Sequence, residues 1–136
     1  MIQGGDPKSK DNDPYNDGQG NSGKFIRAEF SSRPFSVGTV AMARQPGNPD
    51  SSSSQFFFVL ERSPEWDGDY TIFGEVIEGL EVAEEISRTP LSKDERLSGR
   101  PAVAIRIKQI VIDHREVVEE TEEAEESQTE SAVPRP

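Results

Sequence analysis

The amino-acid sequence predicts a mostly-β domain with barrel-like patterning. About five or six short runs rich in aromatic and β-branched residues recur along the chain, and a single stretch has helical periodicity. Two long loops rich in Gly, Pro, Ser and Asn separate the runs. A length of 136 residues suits one domain rather than two.

Taken in order, residues 4–24 are nearly devoid of apolar side chains. Gly4-Gly5, Asp17-Gly18, Gly20 and Gly23 punctuate them, a composition for turns and close backbone approach. So long a loop in a compact domain is either functional or packed on itself. Residues 25–30 read as a short strand and residues 37–42 as a second. Residues 44–54 form another loop, stiffened by Pro46 and Pro49. Residues 55–60 are a third strand, and the run Phe56-Phe57-Phe58-Val59 implies burial on both faces or a bulky barrel interior. By alternation Phe56 and Phe58 face one way, as core, and Phe57 the other. Asp67-Gly68-Asp69 is a turn leading into a strand over residues 70–73.

Residues 79–88 are the helix. Val82, Ala83 and Ile86 share a face, Glu81, Glu84 and Glu85 lie towards its start, and Arg88 stands at its end, in accord with the helix dipole. Pro90 stops it. After a polar loop over 91–101, Val103, Ile105 and Ile107 alternate with Ala104, Arg106 and Lys108 as a half-buried strand. The apolar parity then slips to Ile110 and Ile112, which predicts a β-bulge near Lys108-Gln109. From residue 115 the chain turns Glu/Ser/Thr-rich, an expected disordered acidic tail over 115–136 behind a domain over 1–114.

That tail carries much of the net charge of −11: it holds eight Glu against two Arg, whereas the first 114 residues carry only −5. A mildly acidic body without a Lys/Arg cluster is a poor nucleic-acid binder, because phosphate contacts dominate such affinity. No apolar run approaches the roughly 20 residues that span a membrane. The absence of cysteine excludes disulfides, thiolate metal sites and Cys nucleophiles, and suits a cytoplasm or a bacterial envelope equally. The lone histidine, His114, leaves no His-cluster metal site and speaks against a Ser-His-Asp triad. The acidic loop residues Asp11, Asp13 and Asp17 depart from a calcium-loop pattern, with Tyr15 and Lys24 at positions that need ligands. No metal and no cofactor is expected.

The order of the pieces carries more information than any one of them. Met1-Ile-Gln-Gly-Gly-Asp6, Ala28-Glu-Phe30, Gly38-Thr-Val-Ala-Met-Ala43, Ser54-Gln-Phe-Phe57, and Asp67-Gly68 with Tyr70-Thr-Ile-Phe-Gly74 follow one another. Val76-Ile-Glu-Gly79 completes a series that resembles the cyclophilin family of peptidyl-prolyl cis-trans isomerases, from residue 1 to about 113. The resemblance implies a closed antiparallel eight-stranded barrel with capping helices and a shallow groove that holds an X-Pro peptide. Position by position, it implies that Met1, Phe57 and Trp66 contribute to the proline pocket. Gln3 and Gln55 would hydrogen-bond the substrate backbone, and Ala43, Arg44 and Tyr70 would line the neighbouring groove. The substrates would be X-Pro segments of unfolded or flexible polypeptides. Crossing the X-Pro barrier of about 20 kcal/mol breaks no covalent bond, so neither nucleophile nor metal is required. An arginine that hydrogen-bonds the proline nitrogen as it becomes pyramidal weakens amide resonance in the transition state.

The sequence departs from the family pattern at its start. The family arginine would stand a few residues before Met1, so none of residues 1–136 takes the catalytic position; the first strands, the first helix and one aromatic wall of the pocket belong to the same stretch. Trp66 fills the usual Leu site or is shifted by one, Tyr70 stands where His is common, and Arg44 where Asn is common. Three readings follow: an isomerase, a non-catalytic proline-peptide binding module, or a fragment whose last strand (103–112) has an unpaired apolar edge and favours dimers or aggregates. A complete domain would be a monomer. The compartment would be cytoplasmic for the chain as it stands, or exported if an N-terminal segment precedes it.

Overall fold

The computed structural model describes residues 1–114. They divide between a unit over Met1–Arg106 and a second that begins at Ile107. The first unit contains four strands, β1 (Ile2–Gly4), β2 (Thr39–Met42), β3 (Phe56–Phe58) and β4 (Ile72–Glu75), and one helix, α1 (Leu80–Ser87). The strands form an open antiparallel sheet in the order β1-β3-β2-β4. Among the described residues, then, the sheet has four strands rather than the eight of a closed barrel.

Register explains how the sheet serves two faces. Gln3 lies opposite Phe57, Phe57 opposite Ala41, and Ala41 opposite Ile72, so these side chains share one face. The flanking rows, Ile2-Phe58-Val40-Gly74 and Gly4-Phe56-Met42, point to the other face. β2, flanked by a strand on each side, is buried along its whole length, Thr39 included. On the first face Phe35, Ala41, Phe57 and Val59 form the core, with Ala43, Trp66, Tyr70 and Ile72 packed against it. Phe35 is fully buried, and its ring lies nearly parallel to that of Phe57 at 6.2 Å. On the other face Phe56 and Phe58 are only half-buried, against the expectation of full core. They pack edge to face on each other at 5.5 Å.

The long first loop packs on itself around Asp6. Its buried carboxylate accepts from the backbone N–H of Lys8 (2.8 Å), Gly18 and Gly20 (3.2 Å). Two glycines make this possible. A Cβ on Gly20 would lie 1.9 Å from the Asp6 carboxylate, and one on Gly5, where φ is +89°, would lie 2.3 Å from the Ser54 carbonyl.

Four expected elements differ. Residues 25–30 form no strand: Ile26 bridges Ser52, and the N–H groups of Ala28 and Glu29 donate instead to the side chains of Asp50 (2.9 Å) and Thr71 (2.9 Å). With side chains satisfying the backbone, no ladder is needed. β4 starts two residues later than the pattern suggests and ends at Glu75. The helix keeps its place, but Val82 is exposed while Ala83 is buried, so the apolar face is narrower than expected. Residues 103–114 contain no strand or helix. Alternation makes a strand only where a neighbour supplies ladder partners, and none of the four strands pairs with this stretch. The bulge expected near Lys108 is absent with it; the sheet irregularity lies instead between Val40 and Ala41, opposite β4. The expected tail falls outside the described residues.

Candidate functional site

The first face of the sheet opens as a shallow groove of about 200 Å³. β3 places Phe57 at its floor, and β1 brings Met1 and Gln3 to one side. The chain leaving β2 supplies Ala43 and Arg44, and a short helical turn over Pro64–Trp66 delivers Trp66 just before Tyr70. Three aromatic rings meet there nearly at right angles: Phe57–Tyr70 at 5.3 Å, Phe57–Trp66 at 5.5 Å and Trp66–Tyr70 at 6.4 Å. Such edge-to-face contacts fix the rings in place and leave an apolar wall for a small hydrophobic ring.

Beneath this wall, Phe35 contacts Trp66 and Tyr70, each with centroids 6.2 Å apart. The Phe35 N–H donates to the Asp67 carboxylate (2.8 Å), which is also ion-paired to Arg62. The Arg62 guanidinium, and then the Phe35 N–H, hold the Asp67 carboxyl below the usual carboxylate range. Asp67 thereby ties the turn that carries Trp66 to the core.

The polar side of the groove is a relay. Gln55 Nε2 donates to the carbonyls of Gly20 (2.8 Å) and Gly18 (3.1 Å). That fixes the amide orientation and turns Gln55 Oε1 towards Gln3, whose Nε2 donates to it at 2.9 Å. Gln3 Oε1 is the end of the amide that Gln55 does not engage. The glycine carbonyls that start the relay sit in the Asp6-centred loop. That loop is anchored from the far side by an Arg100–Asp17 ion pair, and by Tyr15, whose hydroxyl donates to Asp94 (3.1 Å) and accepts from Arg96 (3.0 Å). Arg96, above all, holds the Asp94 carboxyl low.

All eight residues singled out in the sequence come together here. Seven line the groove, and Gln55 stands behind Gln3. Phe35, Asp6 and the Arg62–Asp67 pair were not anticipated as supports. Gly-Gly-Asp6 and Asp67-Gly68 stand among the recognisable motifs, but an isolated Phe after Pro34 offers no periodic signal. Asp11 and Asp17 are engaged in structure: Asp11 accepts from Asn16 (3.0 Å) and from the Asp13 N–H (2.7 Å), and Asp17 pairs with Arg100.

A model of the cyclophilin type peptidyl-prolyl cis-trans isomerase family matches residues 1–130. The chain belongs to the cyclophilin family. A peptidyl-prolyl cis-trans isomerase-like 2 of Gibberella zeae is 37% identical over 115 residues, covering 82% of this chain and 18% of that protein. Peptidyl-prolyl cis-trans isomerase B of Bacillus subtilis is 34% identical over 86 residues, covering 63% of this chain and 60% of that one. A probable peptidyl-prolyl cis-trans isomerase of Brucella suis is 43% identical over 63 residues, and this cyclophilin chain spans 32% of its length. Among solved structures, a Cryptosporidium parvum cyclophilin type isomerase crystallised in the presence of the dipeptide Ala-Pro is 31% identical. It superposes with a TM-score of 0.67 over 84% of this chain and 68% of its own.

Proposed function

We propose that the groove binds X-Pro segments of unfolded or flexible polypeptides, as part of a peptidyl-prolyl cis-trans isomerase. The observation that carries this reading is the pairing of an apolar floor, Phe57 walled by Trp66, with a hydrogen-bonding side chain, Gln3, whose orientation is fixed by Gln55. A proline ring needs the first and the peptide backbone beside it the second. In the full architecture implied by the family, the open sheet contributes to an eight-stranded barrel with capping helices.

Within residues 1–136 the groove binds without strong catalysis. Of the arginines near it, Arg62 pairs with Asp67, and Arg44 is held at the groove wall by its Nε, which donates to the Asp69 carbonyl (2.9 Å). Neither takes the family's catalytic position. This engagement favours the proline-peptide binding module as the behaviour of the isolated chain. The test is a cis-trans isomerisation assay on an X-Pro peptide alongside a binding titration. Binding with little or no rate enhancement is expected, and binding is lost on Phe57→Ala. A rate near that of an intact cyclophilin would overturn the reading of binding without strong catalysis. Absence of binding would overturn the groove itself.

A further inference from the structure

We propose that Arg44 makes the groove selective for an acidic residue flanking the proline. The inference rests on the X-Pro groove reading above and names a preference within it.

Five arginines of the first unit are ion-paired. Arg33, Arg62, Arg88, Arg96 and Arg100 each lie within ion-pair distance of a carboxylate. Among the described residues, Arg44 shares with Arg27 and Arg106 the lack of such a partner, and of these three it alone lies in the groove wall. It is also held rather than loose. Nε donates to the Asp69 carbonyl at 2.9 Å, and the guanidinium carbon lies 4.8 Å from the Tyr70 ring centroid. One edge of the guanidinium is therefore spent on the protein, its face rests on an aromatic ring, and Nη1 reaches only a long contact of 3.4 Å to the Gln45 carbonyl. The Nη2 edge has no hydrogen-bond partner among the described residues. A half-buried, pre-oriented guanidinium with unused donors matches a carboxylate in shape and charge, and little side-chain entropy remains to be lost on pairing. The surrounding body is net negative, so the groove carries a local charge opposite to its setting, and that contrast discriminates between ligands.

The experiment compares peptides that differ at one position beside a single proline: Glu against the isosteric Gln, placed before the proline in one pair and after it in another, with a Pro→Ala peptide as reference. The full 136-residue chain is titrated with each. In one of the two placements Glu is expected to bind roughly three- to tenfold more tightly than Gln at low salt. That ratio should fall towards one as salt rises from about 0.01 to about 1 M, where the screening length shrinks from about 30 to about 3 Å. In Arg44→Asn the ratio should be close to one at all salt concentrations, whatever the variant's overall affinity; Arg44→Lys should keep part of it. The salt series on the unaltered chain keeps the test decisive should Arg44→Asn fail to fold. Equal binding of Glu and Gln peptides in both placements, with both tighter than the Pro→Ala peptide, would overturn the role of Arg44 and leave the proline groove standing. If no peptide binds in preference to the Pro→Ala reference, both readings fall together.

Discussion

Two stretches of this chain have comparably apolar, β-type sequences and opposite fates. Between Phe35 and Ile72 the apolar residues reach a sheet, a core and a groove: Phe35, Ala41 and Val59 are wholly buried, and Phe57 nearly so. Between Val103 and Ile112 the same kinds of residue alternate, with one slip of parity, yet Val103 is 79% exposed and Ile105, Ile107, Ile110 and Ile112 are exposed too. The difference lies in partners, not propensity. β3 has β1 on one side and β2 on the other, so each peptide group of its ladder is answered, whereas no strand of the sheet pairs with the later stretch. Apolar periodicity states which face a residue would bury if a neighbour supplied one.

This contrast can be broken most forcefully at Phe35. Phe35→Ala should cost about 3–5 kcal/mol, because a fully buried ring that touches Phe57, Trp66 and Tyr70 leaves a cavity under the groove. Denaturant unfolding measures it; a loss below about 1 kcal/mol would mean the aromatic cluster does not hold the fold. Next in size, Gln55→Ala removes the relay that orients Gln3 and should weaken X-Pro peptide binding about tenfold with little loss of stability. An unchanged affinity would show that Gln3 needs no orientation.

A smaller effect concerns acid. The Asp67 carboxyl is held below its ordinary value of 3.8 by Arg62 and the Phe35 N–H. A depressed folded-state value means the stabilisation is fully present above the unfolded value and is lost as pH falls through the folded one. Stability of the native chain should therefore drop below pH 3.8 more steeply than that of Asp67→Asn, read by thermal melts across the acid range. Parallel curves would contradict the role of this pair. Least of all, Val103→Ser should change stability by no more than about 0.5 kcal/mol, since an exposed valine gives up no burial. A large loss there would mean that the stretch is packed in solution.

The same contrast explains what was legible in the sequence. The groove residues were readable only through the resemblance to the cyclophilin family, whose ordered motifs carry them; the register that sets Gln3, Phe57 and Ala41 side by side is seen only in the folded chain. The helix was readable from the spacing of Val82, Ala83 and Ile86, the charges at its ends and its stop at Pro90. Supports that act over long sequence separation were not. Asp67 reaches the backbone of Phe35 across 32 residues and Gln55 reaches Gly20 across 35, contacts that leave no local pattern. Residues 25–30 looked like a strand because their side chains are β-prone. Their backbone is satisfied by Asp50 and Thr71, whose positions only the folded chain reveals.

The claim at the centre of this account is that the Phe57 floor, the Trp66 wall and Gln3 form one proline-binding groove. Trp66 is the only tryptophan, so its fluorescence reports on that wall alone. Titrating the chain with an X-Pro peptide should shift the Trp66 emission saturably, and the same peptide with Ala in place of Pro should leave it unchanged. Identical responses to the two peptides, or none to either, would contradict the account.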